Sequence, residues 1–208
     1  MKRLLVGAVI GIWIGLVVTT FWRMEWRFLQ PAERPSGASR IDPTQKPYAP
    51  VFHLQSDRGR HALKGQLTLL NFWSPDCACS RFMERHVREL VSTYAPRGVQ
   101  FITVIVGERN DETPQRLLDS WYRRRIDTPA VADVGGALSR QFGVWAGPSA
   151  VIVNPEGRIV YIGAYNIGRY CDNRKTAYAQ QALEALLSGR EPERASTPFY
   201  GCQVPSAE

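Results

Sequence analysis

The sequence has no Cys-x-x-Cys pair, and only four cysteines and three histidines occur in its 208 residues. His53, His61 and His86 stand at no metal-ligand spacing from any cysteine, so no His/Cys metal cluster is predicted. No nucleic-acid-binding motif accompanies the net charge of +7, and the basic residues are scattered. The densest cluster, Arg123–Arg125, ends a predicted helix, where cations sit favourably in the helix dipole and face solvent. No nucleic-acid partner is therefore expected. Internal repeats are also lacking, which excludes solenoids and propellers. What is present is ordinary for a packed domain: 44% hydrophobic and 22% charged residues.

The N-terminus carries the one long apolar run. Leu4 to Trp22, LLVGAVIGIWIGLVVTTFW, is 19 residues without a charge. As a helix it would span ~28 Å, about the thickness of a bilayer's hydrocarbon core. Lys2 and Arg3 precede it and no small-x-small cleavage site follows, so a retained signal anchor over residues 1–27 is expected. Trp22 and Trp26 suit the interfacial belt, and the basic leading segment favours an N-terminus inside. Residues 4–22 would then hold the chain in a bacterial inner membrane as a single pass, with its domain in the oxidising periplasm, where cysteines can pair. Gly7, Gly11 and Gly15 recur at four-residue spacing, a smooth stripe on which a second copy could pack as a homodimer.

Residues 28–50 hold Pro31, Pro35, Pro43, Pro47 and Pro50 and read as a semi-extended linker. The domain is expected over 51–189, with a tail over 190–208. Gln66–Trp73 is an apolar run bounded by Gly65 and Pro75 and predicts a buried strand. Helical spacing of Phe82, Met83, Val87, Leu90 and Val91 predicts a helix over Ser80–Tyr94. Val99–Gly107 predicts a strand, Pro114–Arg125 a helix, and Ala137–Phe142 a short helix. Ser149–Val153 and Arg158–Gly163 predict two strands joined by the turn Asn154-Pro155-Glu156-Gly157. Thr176–Leu187 predicts a last helix, stopped by Gly189. The first half implies a parallel β-α-β unit and the hairpin adds antiparallel strands, so an α/β fold with a central mixed sheet is expected.

Reactive groups gather at the carboxyl ends of parallel strands. Cys77 falls there, in NFWSPDCACS, at the start of the following helix. A helix N-terminus stabilises a thiolate, whereas the neighbouring Asp76 opposes it. Cys171 follows the last hairpin strand and Cys202 lies in the tail, so three full pairings are open. The simplest is Cys77–Cys79 with Cys171–Cys202. In that arrangement the second bridge staples the tail. The alternative is a relay, in which Cys171 or Cys202 resolves a bond made by Cys77 or Cys79. His86 lies nine residues past Cys77, too far along the helix to act as its base, and reads as a surface residue.

The stretch FHLQSDRGRHALKGQLTLLNFWSPDCACS resembles the opening of membrane-tethered thioredoxin-like proteins of cytochrome c maturation. A second stretch, GVWAGPSAVIVNPEGRIVYIGAY, resembles that family's cis-proline segment. The sequence is also similar to an uncharacterised bacterial thioredoxin-like group with a DCxCS-type centre, which implies no activity. Together the matches run over about 52–188 and imply a thioredoxin-like fold preceded by one transmembrane helix. They imply that Cys77 is the attacking cysteine, that Pro148 is cis, and that Gly147 and Pro148 border the substrate chain, with Trp73 beside the centre. The family's second cysteine falls on Ser80, and the buried acid of simple thioredoxins falls on Asn71, so neither role is carried over. The implied function is a thiol–disulfide oxidoreductase acting on protein thiols and disulfides with a redox partner and no cofactor. Its catalytic set would be Cys77, Cys79 and Pro148.

Two other readings are kept. The thiolates of Cys77 and Cys79 suit a soft ion such as Cu(I), which makes a metal-delivery protein the alternative. A non-catalytic interaction module on the same fold is another. A peroxiredoxin-type peroxidase fails, because Ala78 and Arg81 stand where its Thr and Cys would be.

Overall fold

The computed structural model describes residues 2–38, 40–107, 113–167 and 173–205. Helix α1 (Lys2–Leu29) is the only described helix long and apolar enough to cross a membrane, over Leu5–Met24. Nothing lies within 4 Å of a side chain placed at Gly7, Gly11 or Gly15.

The remaining elements follow in chain order. They are β1 (His53–Ser56), β2 (Gly59–Ala62), β3 (Thr68–Trp73), α2 (Ala78–Tyr94), β4 (Gln100–Gly107) and α3 (Pro114–Tyr122). Then come β5 (Ala130–Val134), α4 (Ala137–Gln141), β6 (Ala146–Gly147), β7 (Ser149–Val153), β8 (Ile159–Gly163), α5 (Tyr178–Leu187) and β9 (Cys202–Gln203). The main sheet has the order β5-β4-β3-β7-β8. β3, β4 and β5 are parallel, while β7 and β8 run antiparallel to their neighbours. This is the expected mixed sheet flanked by helices.

All six residues of β3 are buried, because both faces of the sheet are covered. Leu69 and Trp73 point to a core shared with Met83, Val87 and Leu90 of α2, Leu117 and Trp121 of α3, and Leu183 of α5. Leu70 and Phe72 point the other way, to Leu54, Leu63, Phe142, Phe199 and Val204. A strand's two-residue period divides its side chains between the two cores in this way.

Two expectations and one omission need correction. His86 is 5% exposed and packs edge-on against the Tyr165 ring, with centroids 6.0 Å apart. Its three-residue offset from Met83 puts it on the core stripe of α2. Arg124 of the basic cluster turns inward, with its Nε 3.4 Å from Glu84 and its guanidinium 5.6 Å from the centre of the Trp73 ring. The third concerns β5, a parallel edge strand that the sequence reading did not include. Its Ala130–Val134 run alternates too weakly to signal a strand, and pairing with β4 decides it.

The segment before β1 and the tail after α5 both pack on the domain. Ala49 is buried, and the Ala32 amide donates to the Phe199 carbonyl at 2.7 Å. Thr197 lies against Gly163, where any side chain would overlap it.

Candidate active site

β3 delivers the chain to the centre, and Ser74-Pro75-Asp76 turns it into α2. The Ser74 amide donates to Ser80 Oγ at 3.2 Å, and the Asp76 amide donates to Ser74 Oγ at 3.3 Å. Ser80, where the resemblance places a second cysteine, is fully buried and closes this turn. Cys77 is the N-cap of α2, with extended backbone (φ −85°, ψ 115°). Its sulfur therefore lies where unpaired helix amides and the dipole favour negative charge.

Cys77 is bonded to Cys202 across 125 residues of sequence, with the two Cα atoms 5.8 Å apart. This replaces the expected Cys77–Cys79 bridge. Cys79, in the first turn of α2, is buried and outside the disulfide. Cys202's bond to Cys77 displaces the expected Cys171–Cys202 staple; Cys171 itself lies outside the described residues.

Pro148 follows a cis peptide bond from Gly147, as the resemblance implied. The Gly147 carbonyl oxygen lies 3.5 Å from Cys77 Sγ. Strand β6 pairs antiparallel with β9, Gly147 opposite Cys202 and Ala146 opposite Gln203. The Val204 amide continues the ladder to the Trp145 carbonyl at 2.9 Å. The tail's own backbone thus occupies the edge beside the cis-proline.

Two glycines let the tail approach so closely. At Gly201 (φ +110°) an added Cβ would fall 2.1 Å from the Gly147 oxygen. At Gly136 (φ +70°) it would fall 2.6 Å from a Val204 methyl. Arg140 Nη1 donates to the Pro205 carbonyl at 2.7 Å, and Phe199 packs on Trp145 with ring centroids 4.1 Å apart. Helix α4, which places Arg140, is capped by Asp133 through the Leu138 and Ser139 amides and the Ser139 hydroxyl.

Trp73, expected beside the centre, is 1% exposed, and its ring meets Trp121 edge-on, with centroids 5.1 Å apart. Beneath it, burial pushes the Glu84 carboxyl up and the adjacent Arg124 opposes that shift. Asn71 sits in a buried neutral chain. The Tyr165 hydroxyl donates to Asn71 Oδ1 at 2.8 Å, and Asn71 Nδ2 donates to Thr103 Oγ1 at 3.3 Å. Thr103 and Thr128 hydroxyls are 2.9 Å apart, and Trp121 Nε1 donates to Thr128. Burial holds the Tyr165 phenol well above its usual range, so this chain stays uncharged.

Cys202 as the partner of Cys77 stood in the sequence only as the relay alternative, beside the simpler Cys77–Cys79 pairing. The available signal was the tail FYGCQVP, with Phe199, Tyr200 and Val204 too apolar for a solvated end. His53 and His61 lie on the β1–β2 hairpin, where His61 Nε2 is 2.8 Å from Ser56 Oγ. No three His, Cys, Asp or Glu side chains form a metal cluster among the described residues. The Cu(I) alternative needs the Cys77 thiolate, which is engaged in the disulfide.

A mixed five-stranded sheet, a cysteine capping the helix after its central strand and a cis-proline facing that cysteine define a thioredoxin-like domain. The chain belongs to the family described as Domain of unknown function (DUF6436), which it matches over residues 49–205. It is similar to the thiol-disulfide oxidoreductase ResA of Halalkalibacterium halodurans, 33% identical over 101 residues, 48% of this chain and 54% of that protein. The ResA of Bacillus subtilis is 25% identical over 118 residues, 55% of this chain and 64% of that protein. The match to the Halalkalibacterium protein thus spans about half of that relative's length. Among solved structures, a hypothetical protein from Sinorhizobium meliloti 1021 superposes with a TM-score of 0.67 at 19% identity, covering 82% of this chain and 98% of its own. An uncharacterized conserved protein from Geobacillus kaustophilus gives 0.65 at 20%, covering 77% and 90%.

Proposed function

We propose that the chain is a membrane-tethered thiol–disulfide oxidoreductase facing the bacterial periplasm, acting on protein cysteines through Cys77 and Cys202. The observation that carries the reading is the Cys77–Cys202 disulfide at the start of α2, beside the cis Gly147–Pro148 bond. Exchange needs a disulfide one of whose sulfurs leaves easily as a thiolate. A helix N-cap supplies that to Cys77. The similarity to ResA proteins supports the same chemistry. The apolar helix α1 supports the tether. Partners would be proteins carrying paired cysteines and a second redox protein that resets the centre.

The test is dithiothreitol-driven reduction of insulin by the full chain in detergent. Cys77→Ser and Cys202→Ser should each lower the catalysed rate at least tenfold. Wild-type turnover in both variants would rule the reading out.

A further inference from the structure

We propose that Cys202, not Cys77, is the sulfur that meets the substrate; this rests on the oxidoreductase reading above. In the disulfide, Cys77 has no exposure and is covered by the tail strand, while Cys202 is partly exposed. The cover is built in, since Gly201 seats the tail against Gly147, and Val204 and the Arg140–Pro205 hydrogen bond hold it beyond the cysteine. An incoming thiolate therefore reaches the bond from the Cys202 side. Leaving-group chemistry points the same way. Exchange is faster when the expelled thiolate is the more stable one. Cys77 leaves at the N-terminus of the 17-residue helix α2, whereas Cys202 sits in a short strand with no such stabilisation.

The steps balance. A substrate thiol loses its proton to solvent and its sulfur attacks Cys202 Sγ. A substrate–Cys202 disulfide forms, the Cys202–Cys77 bond breaks, and the electron pair stays on Cys77. The substrate's second thiolate then attacks its own sulfur in the mixed disulfide and expels the Cys202 thiolate. The substrate dithiol loses two electrons, and the protein disulfide gains two and takes up protons from solvent. Run in reverse, the Cys202 thiolate attacks a substrate disulfide and Cys77 resolves the product. Cys77 then plays the inner role that the thioredoxin resemblance would give to a second cysteine.

The experiment treats oxidised full-length wild-type protein with glutathione, quenches with acid, alkylates and maps the peptides by mass. Glutathione should appear on Cys202, with Cys77 alkylated. A companion measurement follows the reaction with dithiobis-nitrobenzoate, assigned to each cysteine by the same mapping. Cys202 in the Cys77→Ser variant should react at least tenfold faster than Cys77 in the Cys202→Ser variant. Glutathione on Cys77 overturns the inference and leaves the oxidoreductase reading standing. A Cys77–Cys202 bond that opens at no glutathione concentration overturns both.

Discussion

Single residues decide whether the tail can reach the centre. Gly201 lies at φ +110° against the Gly147 carbonyl, so a methyl group there meets backbone on one side and a disfavoured conformation on the other. Gly201→Ala should weaken the seating by ~1–3 kcal/mol, a roughly 5- to 150-fold fall in the Cys77–Cys202 bond at a fixed glutathione ratio, read by alkylation and mass. An unchanged ratio would mean that the tail does not hold Cys202 in place. Tyr165→Phe removes the hydroxyl that Asn71 Oδ1 accepts from, inside a fully buried chain. The expected cost is ~1–3 kcal/mol of unfolding free energy in a denaturant titration.

Elements were legible where a period was strong. β3, β4, β7 and β8 and the helices α2, α3 and α5 declare themselves through apolar runs, helical stripes and Pro or Gly stops. The Asn154–Gly157 turn was as plain. β5 was missed because Ala130–Val134 has little apolar contrast and is fixed by a neighbour distant in sequence. β6 and β9 are two residues each, below what any period can signal, and they exist only because the tail returns to the cis-proline edge. The site was half legible for the same reason. Cys77 and Pro148 lie inside recognisable runs, whereas the choice of Cys202 over Cys79 depends on a contact 125 residues away.

Helix α2 ends with Tyr94, whose hydroxyl donates to Glu184 of α5 at 2.7 Å. Burial, then this carboxylate, pushes the Tyr94 phenol up to about 12. A phenol raised on folding contributes stability that is complete below its unfolded value of 10.0 and is lost as pH climbs through the folded value. Unfolding free energy should therefore fall between about pH 10 and 12, and Tyr94→Phe should flatten part of that fall. An identical profile in the variant would place the alkaline loss elsewhere, for instance at Tyr122, also raised to about 12.

For the whole molecule, the tail's return makes residues 202–204 part of the centre, and the disulfide closes most of the domain into one loop. The chain-entropy model gives a loop of this length about 5 kcal/mol. That energy would be present only in the oxidised form, so reduction should lower the unfolding midpoint of the protein as well as free the thiols. Helix α1 stands apart from both cores, its described apolar residues exposed. Removing residues 1–30 should move the protein from the membrane to the soluble fraction without changing the redox behaviour of Cys77 and Cys202. A truncated chain that still sediments with membranes would show another attachment.

The most direct test equilibrates the full chain in glutathione buffers of graded potential, quenches with acid, alkylates and maps every cysteine by mass. A redox pair formed by Cys77 and Cys202 predicts that this bond opens and closes reversibly between about −120 and −270 mV, with Cys79 a thiol throughout. A bond from Cys77 to Cys79, or a Cys77–Cys202 bond that stays closed below about −300 mV, would contradict it.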